Sequence, residues 1–204
     1  MKKTFVIIFA LLAIQNTTTS NAGERYIKGY LIKPGENLYG ADLSGSSLTF
    51  SDLRNSNLSN TNLKHAEIDK ANLNGANLTS AELRFSNLRF TDLRNADLTK
   101  ANLQKAWLGK ANLKNANLTG ADLNGANLNK TNLTGANLSG ANFTNSFLNF
   151  ANLTNANFNG ADLTGAYLNG AKLDGIIAKN LIACPMILPK KWICKNQRIT
   201  KKNI

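Results

Sequence analysis

The chain has 204 residues, with 24 Lys and Arg against 12 Asp and Glu and a formal net charge of +12. Hydrophobic residues make up 43% and charged residues 18%, a balance that argues against disorder and suits a single domain. Only 7% of residues are aromatic while Asn is abundant, which points to a repetitive β architecture rather than a mixed core.

Residues 1–22 read as a secretory signal. Lys2 and Lys3 precede an apolar run from Phe5 to Ile14, and Ser20-Asn21-Ala22 carries small residues where a signal peptidase reads. The run is too short for a membrane span, which needs ~20 residues. Cleavage is expected after Ala22, leaving an exported chain, periplasmic or secreted, with no transmembrane segment. It stays basic after Lys2 and Lys3 are gone, and so suits anionic partners: lipid headgroups, acidic glycans or nucleic acid; the plainer reading is charge for solubility.

Residues 23–40 are expected to cap the N-terminal end. Tyr26, Ile27, Tyr30, Leu31 and Ile32, within Arg25 to Pro34, read as one strand that enters the central region of the chain.

From 41 to 175 one pattern rules. A large apolar residue recurs every fifth position from Leu38 to Leu173, with Ile68, Phe143 and Phe158 the variations in type. From Ala41 on, Ala, Ser or Thr stands two residues earlier; mostly Asn or Asp lies between; the fifth place is often Gly or Asn, as in Ala121-Asp122-Leu123-Asn124-Gly125. A five-residue step smears the leucines around an α-helix and flips every second one across a flat strand. It buries them together only if the chain turns within each pentad, and Gly and Asn tolerate such turns.

This motif resembles the pentapeptide-repeat family over about 27 consecutive pentads. The resemblance implies an all-β, right-handed quadrilateral parallel β-helix, four pentads to a coil, about seven coils and capped at both ends. Leu43, Leu63, Leu83, Leu103, Leu123, Phe143 and Leu163 are then expected as structural core.

Residues 176–204 are expected to form a C-terminal cap. The only cysteines are Cys184 and Cys194, and an exported chain permits their disulfide. Zinc lacks further ligands, and no Cys-x-x-Cys motif is present. Leu188 to Cys194 resembles segments that follow the repeats in some family members; Lys195 to Ile204 is basic and expected to fray.

Stacking every twenty residues sorts the outward side chains into columns. One face, centred on Leu48, Ile68, Leu88, Leu108, Leu128, Leu148 and Leu168, collects Phe50, Lys70, Phe90, Lys110, Lys130 and Phe150 two places after its centres. One place before them it carries Trp107, Phe147 and Tyr167, where Asn or Asp is the rule. These residues form the candidate interaction face. The plain structural reading is that aromatics and lysine stems staple the coils together. Lys64, Arg84, Arg89, Arg94, Lys100, Lys105, Lys110 and Lys114 form a basic girdle, read first as a solvated rim. Ser59, Thr79, Thr99, Thr119 and Ser139 form one hydroxyl row, too narrow for the paired array of an ice-binding surface. Asn72, Asn112, Asn132 and Asn152 are expected to ladder between coils.

No catalytic site is legible. His65 is the only histidine and has no nucleophile placed with it; Asp42, Asp52, Asp92 and Asp97 occupy the routine Asn/Asp position of the repeat. No cofactor, metal or nucleic acid is expected. The reading is a non-enzymatic binding or scaffold protein for a protein or envelope partner; the alternative is a self-associating rod, a homodimer through the same face. The family's best-known activity, mimicry of DNA to protect topoisomerase, fits acidic cytoplasmic members, and this basic, signal-bearing chain departs on both counts.

Overall fold

The computed structural model describes residues 18–20 and 24–202. Most of the expected export signal, residues 1–17 and 21–22, lies outside them. Thr18–Ser20 (β1), Glu24–Ile27 (β2) and Tyr30–Ile32 (β3) form an antiparallel sheet in the order β1-β2-β3. The segment expected as one strand is therefore a hairpin. Lys28 and Gly29 both take positive φ between its arms, and Arg25 lies opposite Ile32. Arg25 donates to Ser47 O at 2.6 Å, Thr49 O at 3.2 Å and Ser51 Oγ at 2.8 Å, tying the hairpin to the first pentads.

From Asn37 onward the chain pairs with itself in parallel. Asn37 bridges Asn57, Asn57 bridges Asn77, and the same step recurs on four sides up to the Tyr167–Ile187 bridge. Each side has one bridging residue per coil, because the chain turns before a longer strand can form. The register slips by one residue at Asp162–Ala183, where the strict repeat has ended.

One pentad accounts for its five N–H groups. Ala96 donates to Leu93 O within its turn (3.2 Å) and Asp97 to Ala76 O in the preceding coil (3.0 Å). Leu98 donates to Asn117 O (2.7 Å) and Lys100 to Thr119 O (2.9 Å) in the following coil. Thr99 N donates to Asp97 Oδ1 at 2.9 Å. The Asn/Asp position thus supplies the acceptor for the one turn N–H that no backbone carbonyl reaches. This is its commonest task along the stack, as at Asn77, Asn117, Asn137 and Asn152. Ladders between coils do occur, as from Asn132 Nδ2 to Asn112 Oδ1 at 3.1 Å, but they are fewer than the sequence suggests.

The centre holds two kinds of column. Leu43, Leu63, Leu83, Leu103, Leu123, Phe143 and Leu163 are all buried, as are the small residues two places before each centre. Phe143 and Phe158 meet inside with ring centres 5.5 Å apart and planes tilted by 56°. Thr61, Thr91 and Thr131 fill small positions and donate across coils to Leu38 O, Ile68 O and Leu108 O.

Beyond the coils, Cys184 and Cys194 are joined by a disulfide with their Cα atoms 5.8 Å apart. Trp192–Lys195 (β4) and Arg198–Lys201 (β5) pair antiparallel. The tail expected to fray from Lys195 therefore forms a hairpin, held because buried Ile199 packs on the core and Leu181 N donates to Gln197 O at 3.1 Å. No helix among the described residues is long and apolar enough to cross a membrane.

Candidate interaction face

Four sides alternate around the coil. The side bridged through Ser47, Glu67, Asn87, Trp107, Asn127, Phe147 and Tyr167 departs from the repeat in two ways. Both departures arise in single pentads and are aligned only by the stacking.

The first departure is at the corner. Phe50, Lys70, Phe90, Lys110, Lys130 and Phe150 all have φ between 58° and 63°. Gly and Asn accept this left-handed conformation; a bulky side chain there is strained. Burial does not compensate, since Phe50, Phe90 and Phe150 are 70%, 44% and 58% exposed. What they gain is each other's neighbours. Lys70 Nζ stands 5.0 Å from the centre of the Phe50 ring, and Lys110 Nζ 5.1 Å from that of Phe90. The Arg89 guanidinium approaches the same Phe90 ring at 5.5 Å.

The second departure is at the Asn/Asp position. Trp107, Phe147 and Tyr167 bring no acceptor for the N–H two residues on. At Asn149 the following turn is rescued from the preceding coil, where Asn129 Oδ1 accepts its N–H at 2.9 Å. Phe147 and Tyr167 stack with ring centres 5.3 Å apart and planes 9° apart, and Tyr167 is half-buried. Trp107 is not covered in this way and stays exposed.

Trp107 borders a shallow depression of about 270 Å³, lined also by Arg89, Gly109, Lys110, Asn127, Asn129 and Lys130. Among the described residues, none of Arg89, Lys110 and Lys130 forms an ion pair. The nearby carboxylates are engaged with neutral groups: Glu67 accepts from Asn87 Nδ2 at 2.7 Å and Asp69 from Thr49 Oγ1 at 2.8 Å. The arrangement offers a π face beside amide groups and cations that have no carboxylate partner, fit for binding an anionic or aromatic group.

The structure brings Trp107, Lys110 and Lys130 together at the depression, with Phe90 beside it through Arg89 and Lys110. Phe50 and Lys70 lie toward the N-terminal end, and Phe147, Phe150 and Tyr167 toward the other. Arg89, Asn127 and Asn129 were not among the residues expected on this face. The twenty-residue columns carried the signal, because Arg89 immediately precedes Phe90. A second column at the neighbouring corner was also missed. His65 stacks on Phe85 with ring centres 5.1 Å apart, and Lys105 covers the same ring from 5.7 Å.

The other surfaces are more fully satisfied within the chain. In the girdle, Arg84 pairs with Glu82 at 2.7 Å and Arg94 with Asp92 at 2.6 Å. The hydrogen bond from Arg94 holds the Asp92 carboxyl below its ordinary range, as that from Arg54 does for Asp52. In the hydroxyl row, Thr119 and Ser139 donate to Asn117 and Asn137 and accept from the next Asn along, so their hydroxyls already have partners.

Residues 37–75, 76–115, 111–149 and 148–177 match the family model described as pentapeptide repeats. Among solved structures, the chain is similar to HetL, a pentapeptide repeat protein involved in heterocyst differentiation regulation from the cyanobacterium Nostoc sp. strain PCC 7120. That likeness is 32% identical over 74% of this chain and 86% of HetL, with a TM-score of 0.28. It is also similar to a pentapeptide repeat protein of the Arabidopsis thaliana thylakoid lumen, 35% identical over 54% of this chain and 66% of that one, with a TM-score of 0.26. QnrB1, a plasmid-mediated fluoroquinolone resistance protein, is 19% identical over 71% of this chain and 82% of its own, with a TM-score of 0.39. No curated protein matches the chain.

Proposed function

We propose a non-enzymatic binding role for this chain, which belongs to the pentapeptide-repeat family. The coil stack is a scaffold, and its aromatic and basic side is the surface offered to a protein or envelope partner. The fuller reading is a right-handed stack of about seven coils, spanning 41–175 and closed by segments 23–40 and 176–204. It places the mature chain outside the cytoplasm after loss of residues 1–22. The disulfide between Cys184 and Cys194 supports that location, because such bonds persist in oxidising compartments.

One observation carries the binding role. Between residues 41 and 170, this side alone puts aromatics in place of the turn acceptor, at Trp107, Phe147 and Tyr167, and along one of its corners strained aromatics stay exposed. Local rules broken without burial in return are the mark of a surface kept for contact.

The test is capture from envelope extract by the folded protein and by a variant carrying Phe90→Ser, Lys110→Glu and Phe150→Ser. A control carries Thr79→Ser and Thr119→Ser on another side. The binding role expects a partner retained by wild type and control and lost by the variant. Equal capture by all three proteins rejects it. Light scattering on the same samples decides the alternative: a mass that rises with concentration, and falls back in the variant, assigns the side to a second copy.

A further inference from the structure

The C-terminal end combines a one-signed charge with exposed aliphatic groups. Residues 176–204 hold no Asp or Glu, while Lys179, Lys190, Lys191, Lys195, Arg198, Lys201 and Lys202 are all exposed. Among these described cations only Lys201 meets a carboxylate, donating to Asp174 Oδ1 at 2.9 Å. Within the same stretch Ile177, Ile182, Met186, Ile187 and Ile193 are exposed, Ile182 and Met186 at 67% each.

These side chains do not form one flat patch. Ile177 continues the side bridged through Asn157; Ile182 donates its N–H to Ala161 O on the next side; Ile187 continues the side of Tyr167. The apolar groups thus ring the end of the rod on three sides, with the β4–β5 hairpin beside them. A depression of about 320 Å³ opens there, lined by Ile176, Ile177, Ala178 and Ile199 together with Lys179, Arg198 and Thr200.

We infer that this end seats on an anionic lipid surface, its isoleucines and Met186 entering the headgroup layer while the lysines and Arg198 meet lipid phosphates. The chemistry selects this occupant. Aliphatic groups bounded by unpaired cations match an interface that is apolar below and negative above. A second copy meeting end to end would set two strongly positive ends against each other, with Asp174 already taken by Lys201 on each. A folded protein would cover one side of the ring, whereas a bilayer interface receives all three.

The experiment is co-sedimentation with vesicles of phosphatidylcholine alone and of equal parts phosphatidylcholine and phosphatidylglycerol. It is run on the full chain and, to take the Phe5–Ile14 run out of the reading, on the chain from Gly23. Circular dichroism and the intact disulfide check folding throughout. Binding is expected to the anionic vesicles, weakening as salt rises and at least about tenfold weaker to neutral ones. Ile182→Ser with Met186→Ser, and Lys190→Glu with Lys191→Glu, should each lower it about tenfold, while Lys190→Arg with Lys191→Arg keeps it. The inference is overturned if the chain from Gly23 ignores anionic vesicles or binds neutral ones equally. It is also overturned if both C-terminal variants bind like wild type, or if these variants instead abolish a concentration-dependent mass.

Discussion

Lys110 Nζ lies 5.1 Å from the centre of the Phe90 ring, one coil further along the same corner. The twenty-residue step that puts Lys110 over Phe90 also puts Lys70 over Phe50, but over Phe150 it puts Gly170. Each cation–π contact at an exposed site contributes about 0.5–1 kcal/mol, less than the about 1–2 kcal/mol that a bulky residue loses in the left-handed corner. Stapling alone is therefore a weak reason for the aromatics, and Phe150, with no cation over it, has the least structural reason of the three.

Phe50→Asn, Phe90→Asn and Phe150→Asn should together separate binding from stability. Asn accepts the left-handed corner, so each variant should unfold within about 1 kcal/mol of wild type. Partner capture should fall. Thermal denaturation and capture on the same samples check both halves.

Gly170→Ala should cost about 1–2 kcal/mol from the left-handed backbone alone, since Gly170 has φ +67°. It should also move the Phe150 ring, whose Cδ1 would lie 2.5 Å from the new Cβ. Gly140→Ala, with φ +64° and open space around it, carries the backbone part only. A larger loss in melting temperature at Gly170 than at Gly140 measures the ring displacement.

Ser46 and Ser146 occupy small interior positions, and their hydroxyls are buried without a hydrogen-bond partner. Ser46→Ala and Ser146→Ala should each stabilise the fold, by about 1 kcal/mol, because alanine removes the unpaired group and leaves the shape nearly unchanged. Denaturant unfolding should show higher midpoints with an unchanged slope. Thr131→Ala should do the reverse, since Thr131 Oγ1 donates to Leu108 O at 2.8 Å.

Cys184→Ser with Cys194→Ser should loosen the end without melting the stack. A crosslink closing a loop of this length is worth about 2–3 kcal/mol on the chain-entropy account. In a stack where each coil leans on its neighbours, the loss stays local. Hydrogen exchange should quicken across 178–201 and stay slow at Leu103 and Leu123.

Acid should weaken the Asp92–Arg94 contact. Arg94 hydrogen bonding lowers the Asp92 carboxyl below its ordinary value of 3.8, so the folded state favours the ionised form. That contribution is full above the unfolded value and is lost as pH falls through the folded one. Asp92→Asn should therefore be less stable than wild type at neutral pH, with the gap closing as pH falls below the ordinary carboxylate value of 3.8. A gap that does not change with pH would assign the effect to packing.

The repeat was written plainly in the chain. An apolar residue at every fifth place, a small residue two before it and a turn-tolerant residue at the end admit one solution, because only a chain that turns each pentad can bury all its leucines on one axis. Burial of Leu43 through Leu163 comes from that period, and the pairing of the two cysteines from their being the only two. Other features depended on contacts between segments far apart in sequence. The sequence shows Asn or Asp before most of the leucines but not that its side chain serves the turn N–H, since that depends on which carbonyls the neighbouring coils leave over. It shows Arg25 and Ile199 but not the hairpins that hold them against the ends of the stack, where register is chosen by packing rather than by period. The depression at Trp107 exists only because stacking brings Arg89, Lys110 and Lys130 to one place. Periodicity fixes a residue's column; only the folded stack decides which neighbours in that column and the next leave it covered or exposed.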